Sequence, residues 1–384
     1  MKLIFTQYLY PISEKTTFLG KYGYYFDNAR TPKDISDIER MLQKAIPDRG
    51  KSLLWRYGFE TKGGHHATLN NFIEQVFNHL PQDNSYINKF IDKYRDNDPL
   101  NTLARMWVLV RIDKNKLKEF KRLSALKEKA SEIENAYVGC TNPEVFLVER
   151  LYDFAHLAAL LMCRYEYWDY ESFLSCRSPY IGNEDLASIV GAYCFATVPG
   201  QAIEGVQPLP WFHEDIQTLL SVFNNIETEL NNDNCELFEY LANLIYTSVA
   251  SELTGKGRLL LLVSVIELLL TYSPDYSRFN IEDSINKQFQ LKTALVVYQN
   301  NKNRNINEIR ESLKHIYDVR SKIAHGDFKS LKKIIQKKSS ASEYSLDIED
   351  YYLHKLNNLL YTYIKAILEE YFKDRDYVRF IKEH

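Results

Sequence analysis

An arginine set inside an apolar helical stripe, and a histidine five positions later, are the residues of this 384-residue chain whose types and spacing carry chemistry. From Asn305 to His325, Ile306, Ile309, Leu313, Ile316 and Ile323 fall on one face at about 100° per residue. Arg320 lies within that stripe. An unpaired guanidinium is costly to bury, so Arg320 must find a carboxylate or face a second subunit across a polar pocket. Glu267, alone in the apolar run Leu259–Leu270, is the obvious carboxylate. His325 stands about 140° round a regular helix from Arg320, so the two are not an i, i+4 metal-ligand pair. Gly326 suits the left-handed position beyond a helix end, which puts His325 in the last turn or at its cap, with its ring able to swing off the wheel. Spacing alone also fits a structural role, with His325 complementing the helix dipole and Arg320 paired to a buried Glu.

Other chemistry-bearing residues lack partners at useful spacing. Gly63-Gly64-His65-His66 has no third metal ligand and reads as a surface turn. Cys140, Cys163, Cys176, Cys194 and Cys235 include no C-x-x-C pair, which argues against structural zinc and for reduced thiols in a cytoplasmic protein. His156 reads as a core histidine and His213 as a residue at a helix start. The 28 Tyr and 20 Phe read as core and interface packing. Charge is nearly balanced overall, with 48 Lys and Arg against 51 Asp and Glu, so nothing global announces a nucleic-acid or membrane partner. Locally the balance breaks: between Lys287 and Lys338 there are 13 basic residues against four acidic ones. Lys329, Lys332, Lys333, Lys337 and Lys338 directly follow His325, either as a polyanion contact or as a solvated loop.

The elements that position these residues are mostly helical. Only 14 Gly and 11 Pro disfavour a Gly-rich nucleotide-binding fold or a turn-dense β fold, and the length predicts two domains. Residues 1–235 read as a mixed, mostly helical region with a change of pattern near 110. Strands are expected at Leu3–Leu9, Ser52–Phe59 and Met106–Ile112, and helices at Ile35–Ala45, Thr68–Leu80, Leu117–Ala136 and from Pro143 onward. Ser178–Pro210 reads as a loop, with a helix starting near Trp211. A polar seam at Asn231–Asn234 precedes four helical patterns: Cys235–Thr271 with a break at Thr254–Gly257, Ile281–Gln299, Ile306–His325 and Asp347–Phe372. That is the outline of a four-helix bundle, so the fold class is mainly α. Leu259–Leu270 is too short to span a bilayer, and the N-terminus lacks a secretory pattern, so no membrane partner is expected.

The string Ile316-Tyr-Asp-Val-Arg320-Ser-Lys-Ile-Ala-His325-Gly326, after a helix with an embedded acid (Ser264-Val-Ile-Glu267-Leu-Leu-Leu), resembles the signature of the HEPN superfamily, in particular its ApeA-like branch. There an Arg-x4-His motif ends the third helix of a four-helix bundle. The resemblance covers roughly residues 236–384.

The resemblance implies a homodimer that cleaves RNA without metal or cofactor, in a pocket built from two copies of the motif. His325 would be the general acid or base on the ribose 2′-hydroxyl or the leaving oxygen, a task suited to an imidazole. Arg320 would stabilise charge on the attacked phosphate. Glu267, Tyr317 and Ser321 would support them, and Lys322, Lys329, Lys332 and Lys333 would contact RNA phosphates. The residue after the arginine, often Asn, Asp or His in active members, is Ser321, which can still hydrogen-bond. Bacterial fusions of this kind resemble toxin-like, anti-phage or abortive-infection effectors whose variable part senses a phage or nucleotide trigger. Two alternatives stand beside the enzyme: a non-catalytic module that binds RNA or a nucleotide, and a dimerisation element in which Glu267 holds Arg320 out of solvent.

Overall fold

The computed structural model describes residues 4–45, 83–94, 99–134, 143–162, 174–176, 213–232, 234–249, 253–272, 284–339 and 345–384. The expected strand at Ser52–Phe59, the helix at Thr68–Leu80, the His65-His66 pair and the loop at Ser178–Pro210 lie outside these residues. Among the described residues are thirteen helices and one five-stranded sheet, a mainly α fold. The chain divides into two compact units, residues 1–152 with 171–231, and residues 153–170 with 232–384. The second therefore includes 153–170, which the sequence reading assigned to the N-terminal region.

The first unit holds the sheet. Strands β1 (Ile4–Leu9), β2 (Thr16–Phe18), β3 (Tyr24–Asn28), β4 (Trp107–Ile112) and β5 (Leu174–Cys176) pair antiparallel in the order β2-β3-β4-β1-β5. The helices here are α1 (Pro32–Ala45), α2 (Ser85–Tyr94), α3 (Pro99–Met106), α4 (Lys114–Glu134), the start of α5 (Pro143–Leu161) and α6 (His213–Leu230). Side chains of β3 alternate as a pleat requires: Tyr24, Phe26 and Asn28 are buried, while Tyr25 and Asp27 are half-buried. Phe26 stacks on Phe18 at 4.1 Å between ring centroids, and Phe223 of α6 closes over Phe18 at 4.8 Å. Arg111, opposite Tyr25 in the register, is buried and reaches Asp34 at 3.0 Å and Asp27 at 3.7 Å, so its charge is matched locally. At the ends of the inner strands, the Asn28 side-chain amide nitrogen lies within hydrogen-bond distance of the carbonyls of Tyr10, Met106 and Trp107, giving these backbone acceptors a buried donor.

The second unit is helical: α7 (Cys235–Ser248), α8 (Gly255–Leu270), α9 (Ile285–Asn300), α10 (Ile306–Ala324), α11 (Phe328–Ser339), α12 (Leu346–Lys373) and α13 (Arg375–Glu383). Five of these helices begin where a side-chain oxygen satisfies an orphan backbone N–H: Thr254 for α8, Ser284 for α9, Asn305 for α10, Ser345 for α12 and Asp374 for α13. Helix α8 packs against α7, α9, α10 and α12, and α9 packs against α10 and α12. The core between them is aliphatic, with Leu262, Val263, Ile266, Val296, Val297, Leu313, Ile316, Val319, Leu360, Ile364 and Ile367 fully out of solvent. His156 sits on the portion of α5 belonging to this unit and packs against the Tyr246 ring at 5.1 Å.

Four of the described helices were absent from the sequence reading: α2 and α3 in the first unit, and α11 and α13 in the second. The lysine-rich stretch after Gly326 is helix α11, not a loop, because Leu331 and Ile335 recur at helical spacing and are fully buried. Beyond α12, Arg375–Glu383 turns back as α13, where Lys382 donates from Nζ to the Leu268 carbonyl at 2.6 Å and so ties the chain's end to the last turn of α8. No helix among the described residues is long and apolar enough to cross a membrane.

Candidate active site

Helix α10 carries the site. Its buried face is Ile309, Leu313, Ile316, Val319 and Ile323, so Val319 joins the expected stripe while Ile306, in the first turn, is only half-buried. Arg320 keeps its place in line with Leu313 and Ile316 yet retains 29% side-chain exposure, because a long guanidinium side chain can lay its stem on apolar surface and lift its head outward. Glu267 of α8, 17% exposed, is its partner, with Nη2 to Oε2 at 3.7 Å. That is an ion pair too long for a hydrogen bond. Arg320 Nε and Glu267 Oε1 are both buried without a hydrogen-bond partner.

Tyr317, one turn before Arg320, completes this cluster. The guanidinium lies over its ring at 5.4 Å from the centroid, and Phe289 of α9 packs against the same ring at 5.3 Å. Burial raises the Tyr317 pKa first, and the Glu267 carboxylate beside its hydroxyl raises it further, against the lowering influence of Arg320. The phenol therefore stays protonated and can donate.

Helix α10 ends as its sequence demands. His325 is the C-cap, Gly326 follows at φ +70°, the Gly326 N–H bonds the Ile323 carbonyl at 3.1 Å, and the Asp327 N–H bonds the Lys322 carbonyl at 2.9 Å. This double bond pattern is the Schellman ending, in which only glycine takes the left-handed position without strain. Where an apolar contact often accompanies that motif, Lys322 and Asp327 pair at 3.2 Å. Asp327 also accepts from the Ser330 N–H at 3.2 Å, so one carboxylate closes α10 and opens α11. The Ser330 hydroxyl, then the Ser330 N–H and Lys322, hold the Asp327 pKa below the usual carboxylate range. His325 is left exposed on the turn, its N–H bonded to the carbonyl of half-buried Ser321 at 3.0 Å.

The geometry thus gathers Arg320, Glu267 and Tyr317 into one cluster and sets His325 outside it, on the exposed turn at the same helix end. Lys322 is engaged by Asp327, and Lys329, Lys332 and Lys333 lie on exposed positions of α11. Among the described residues, no three His, Cys, Asp or Glu side chains come together as a metal site.

Sequence reasoning passed over His315. Its Nε2 bonds the Tyr352 hydroxyl of α12, a half-buried polar link between two bundle helices. Burial pushes the His315 pKa down, Lys338 pushes it further, and Asp318 opposes them; burial alone lifts Tyr352 to about 12. A histidine whose folded pKa is depressed binds fewer protons folded than unfolded, so stability is full above the ordinary imidazole pKa of about 6.5 and falls as pH drops from there toward the folded value. The urea midpoint is therefore expected to decline between pH 7.5 and pH 5. In His315→Gln the decline should be shallower, though not absent, since burial and then Arg258 lower the His354 pKa in the same sense. An identical decline in the variant would exclude this assignment.

No family model, curated protein or solved structure matches this chain.

Proposed function

We propose that the chain is a metal-independent endoribonuclease of HEPN type, with Arg320 and His325 as its catalytic residues. The observation that carries the reading is the end of α10: an exposed imidazole on a glycine-closed turn, five residues after a guanidinium that is partly exposed and loosely paired. A cation held by a tight bidentate carboxylate would be committed to the fold; one at 3.7 Å on a side chain 29% exposed still has terminal guanidinium N–H groups to offer a phosphate. His325 would move the proton of the 2′-hydroxyl or of the leaving oxygen. Two copies of the motif would form the working pocket in a homodimer, and the first unit would hold or sense the trigger of an anti-phage or toxin-like effector.

A second reading draws on the same ion pair. If the Glu267 contact is the main role of Arg320, the bundle is a non-catalytic module that binds RNA or a nucleotide, or only dimerises.

The two separate on one experiment. Labelled single-stranded RNA incubated with the full-length chain in excess EDTA should yield fragments ending in 2′,3′-cyclic phosphate. Intact RNA after incubation with folded, dimeric protein, in the presence of phage-infected lysate as a source of trigger, would leave the binding module as the better account.

A further inference from the structure

Helix α11 presents a surface that the cleavage chemistry does not itself require. Leu331 and Ile335 are fully buried and Ile334 half-buried, which fixes the rotation of the helix on α10 and α12. With that face committed, Lys329, Lys333 and Lys337 follow one another at i, i+4 and i+8 along the exposed side, flanked by exposed Lys332 and Gln336. The row runs for about 12 Å at the rise of an α-helix. Phe328–Ser339 contains no acidic residue, and Asp327 at its cap is taken up by Lys322 and Ser330. Lys338 belongs to the other side, where it acts on His315.

At the head of this row stands Phe328. It is 48% exposed, and only Gly326 and Asp327 separate it from His325. The Lys256 ammonium lies 5.7 Å from its ring centroid and is held there by an ion pair with Glu349 of α12. An exposed aromatic face beside a cation, continuing into a ridge of lysines, is the combination that binds single-stranded nucleic acid: a base stacks on the ring while the backbone follows the charge. A bilayer surface is a poorer match, because α11 has spent its apolar face on the core and Phe328 alone remains to insert.

We propose that α11 is a rail for single-stranded RNA, with Phe328 stacking the nucleobase next to the phosphate at His325 and Lys329, Lys333 and Lys337 following the backbone away from it. This rests on the ribonuclease reading for its placement of the scissile bond but makes its own claim about binding. The rail sets register, so the base stacked on Phe328 is a determinant of where the strand is cut.

The test uses the full-length chain and a fluorescent single-stranded RNA blocked by 2′-O-methyl groups, which removes the internal nucleophile and separates binding from cleavage. Anisotropy in EDTA should show Phe328→Ala weakening binding about tenfold and Phe328→Tyr restoring it. The triple variant Lys329→Gln/Lys333→Gln/Lys337→Gln should lower the slope of log affinity against log salt by about two, at roughly 0.7 per lost single-strand phosphate contact. Unaltered binding in both variants overturns the rail, as does absence of RNA binding, or binding of anionic phosphatidylglycerol vesicles in its place. Wild-type cleavage of unblocked RNA alongside unaltered variant binding keeps the enzyme and removes the rail. Rail-dependent binding without cleavage does the reverse.

Discussion

Replacing His325 by alanine is expected to slow RNA cleavage by about 10²- to 10⁴-fold, the usual contribution of a positioned general acid or base. The fold should not notice. The imidazole is exposed, and the bond that fixes the residue runs from its main-chain N–H to the Ser321 carbonyl, which alanine retains. Gly326 still takes the left-handed position, so the Schellman ending and the start of α11 persist. Cleavage of labelled RNA in EDTA, read beside the urea midpoint and the native mass, separates the cases. A rate within twofold of wild type in a stable dimer would remove His325 from the chemistry. A comparable loss of rate and of stability would mean that the turn, not the ring, was what mattered.

How far this site could be read from sequence depends on how much pattern each piece carries. Helix α10 was legible because its aliphatic residues recur over five turns and Gly326 marks its end. The pairing of Arg320 with Glu267 was legible for a related reason: each is the one charge in an apolar context, and buried charges seek each other. Strands β1 and β4 stood out as apolar runs, whereas β2 and β5 are three residues long, too short for an alternation to show.

Helix α11 was hidden by its own composition. Five lysines and two serines in twelve residues look like a solvated connection, and the three apolar positions that fold it gain their meaning only once α10 and α12 supply a surface. His315 was passed over because a histidine at a half-buried helical position has no local mark; its partner, Tyr352, is 37 residues away on another helix.

Arg320→Ala is expected to act on two quantities at once, and their separation decides what the residue is for. On the chemical side, losing a preorganised cation opposite the developing phosphate charge should lower the cleavage rate by about 10²- to 10³-fold. On the structural side, the Glu267 carboxylate is left beside the Tyr317 hydroxyl and the apolar wall of α8 with no counter-charge. Breaking a fully buried pair costs about 3–5 kcal/mol. With side chains 29% and 17% exposed and 3.7 Å between the charged atoms, the cost here should be nearer 1–2 kcal/mol after solvent screening. Adding Glu267→Gln removes the stranded charge, so the double variant should recover most of the stability in a urea titration. It should recover none of the rate, since glutamine supplies no cation at the end of α10. Glu267→Gln alone should keep cleavage within a few-fold of wild type, because Arg320 then lacks its internal partner but retains its charge. A double variant that regained cleavage together with stability would show that Arg320 serves the bundle and not the phosphate, and the binding-module reading would then be the better one.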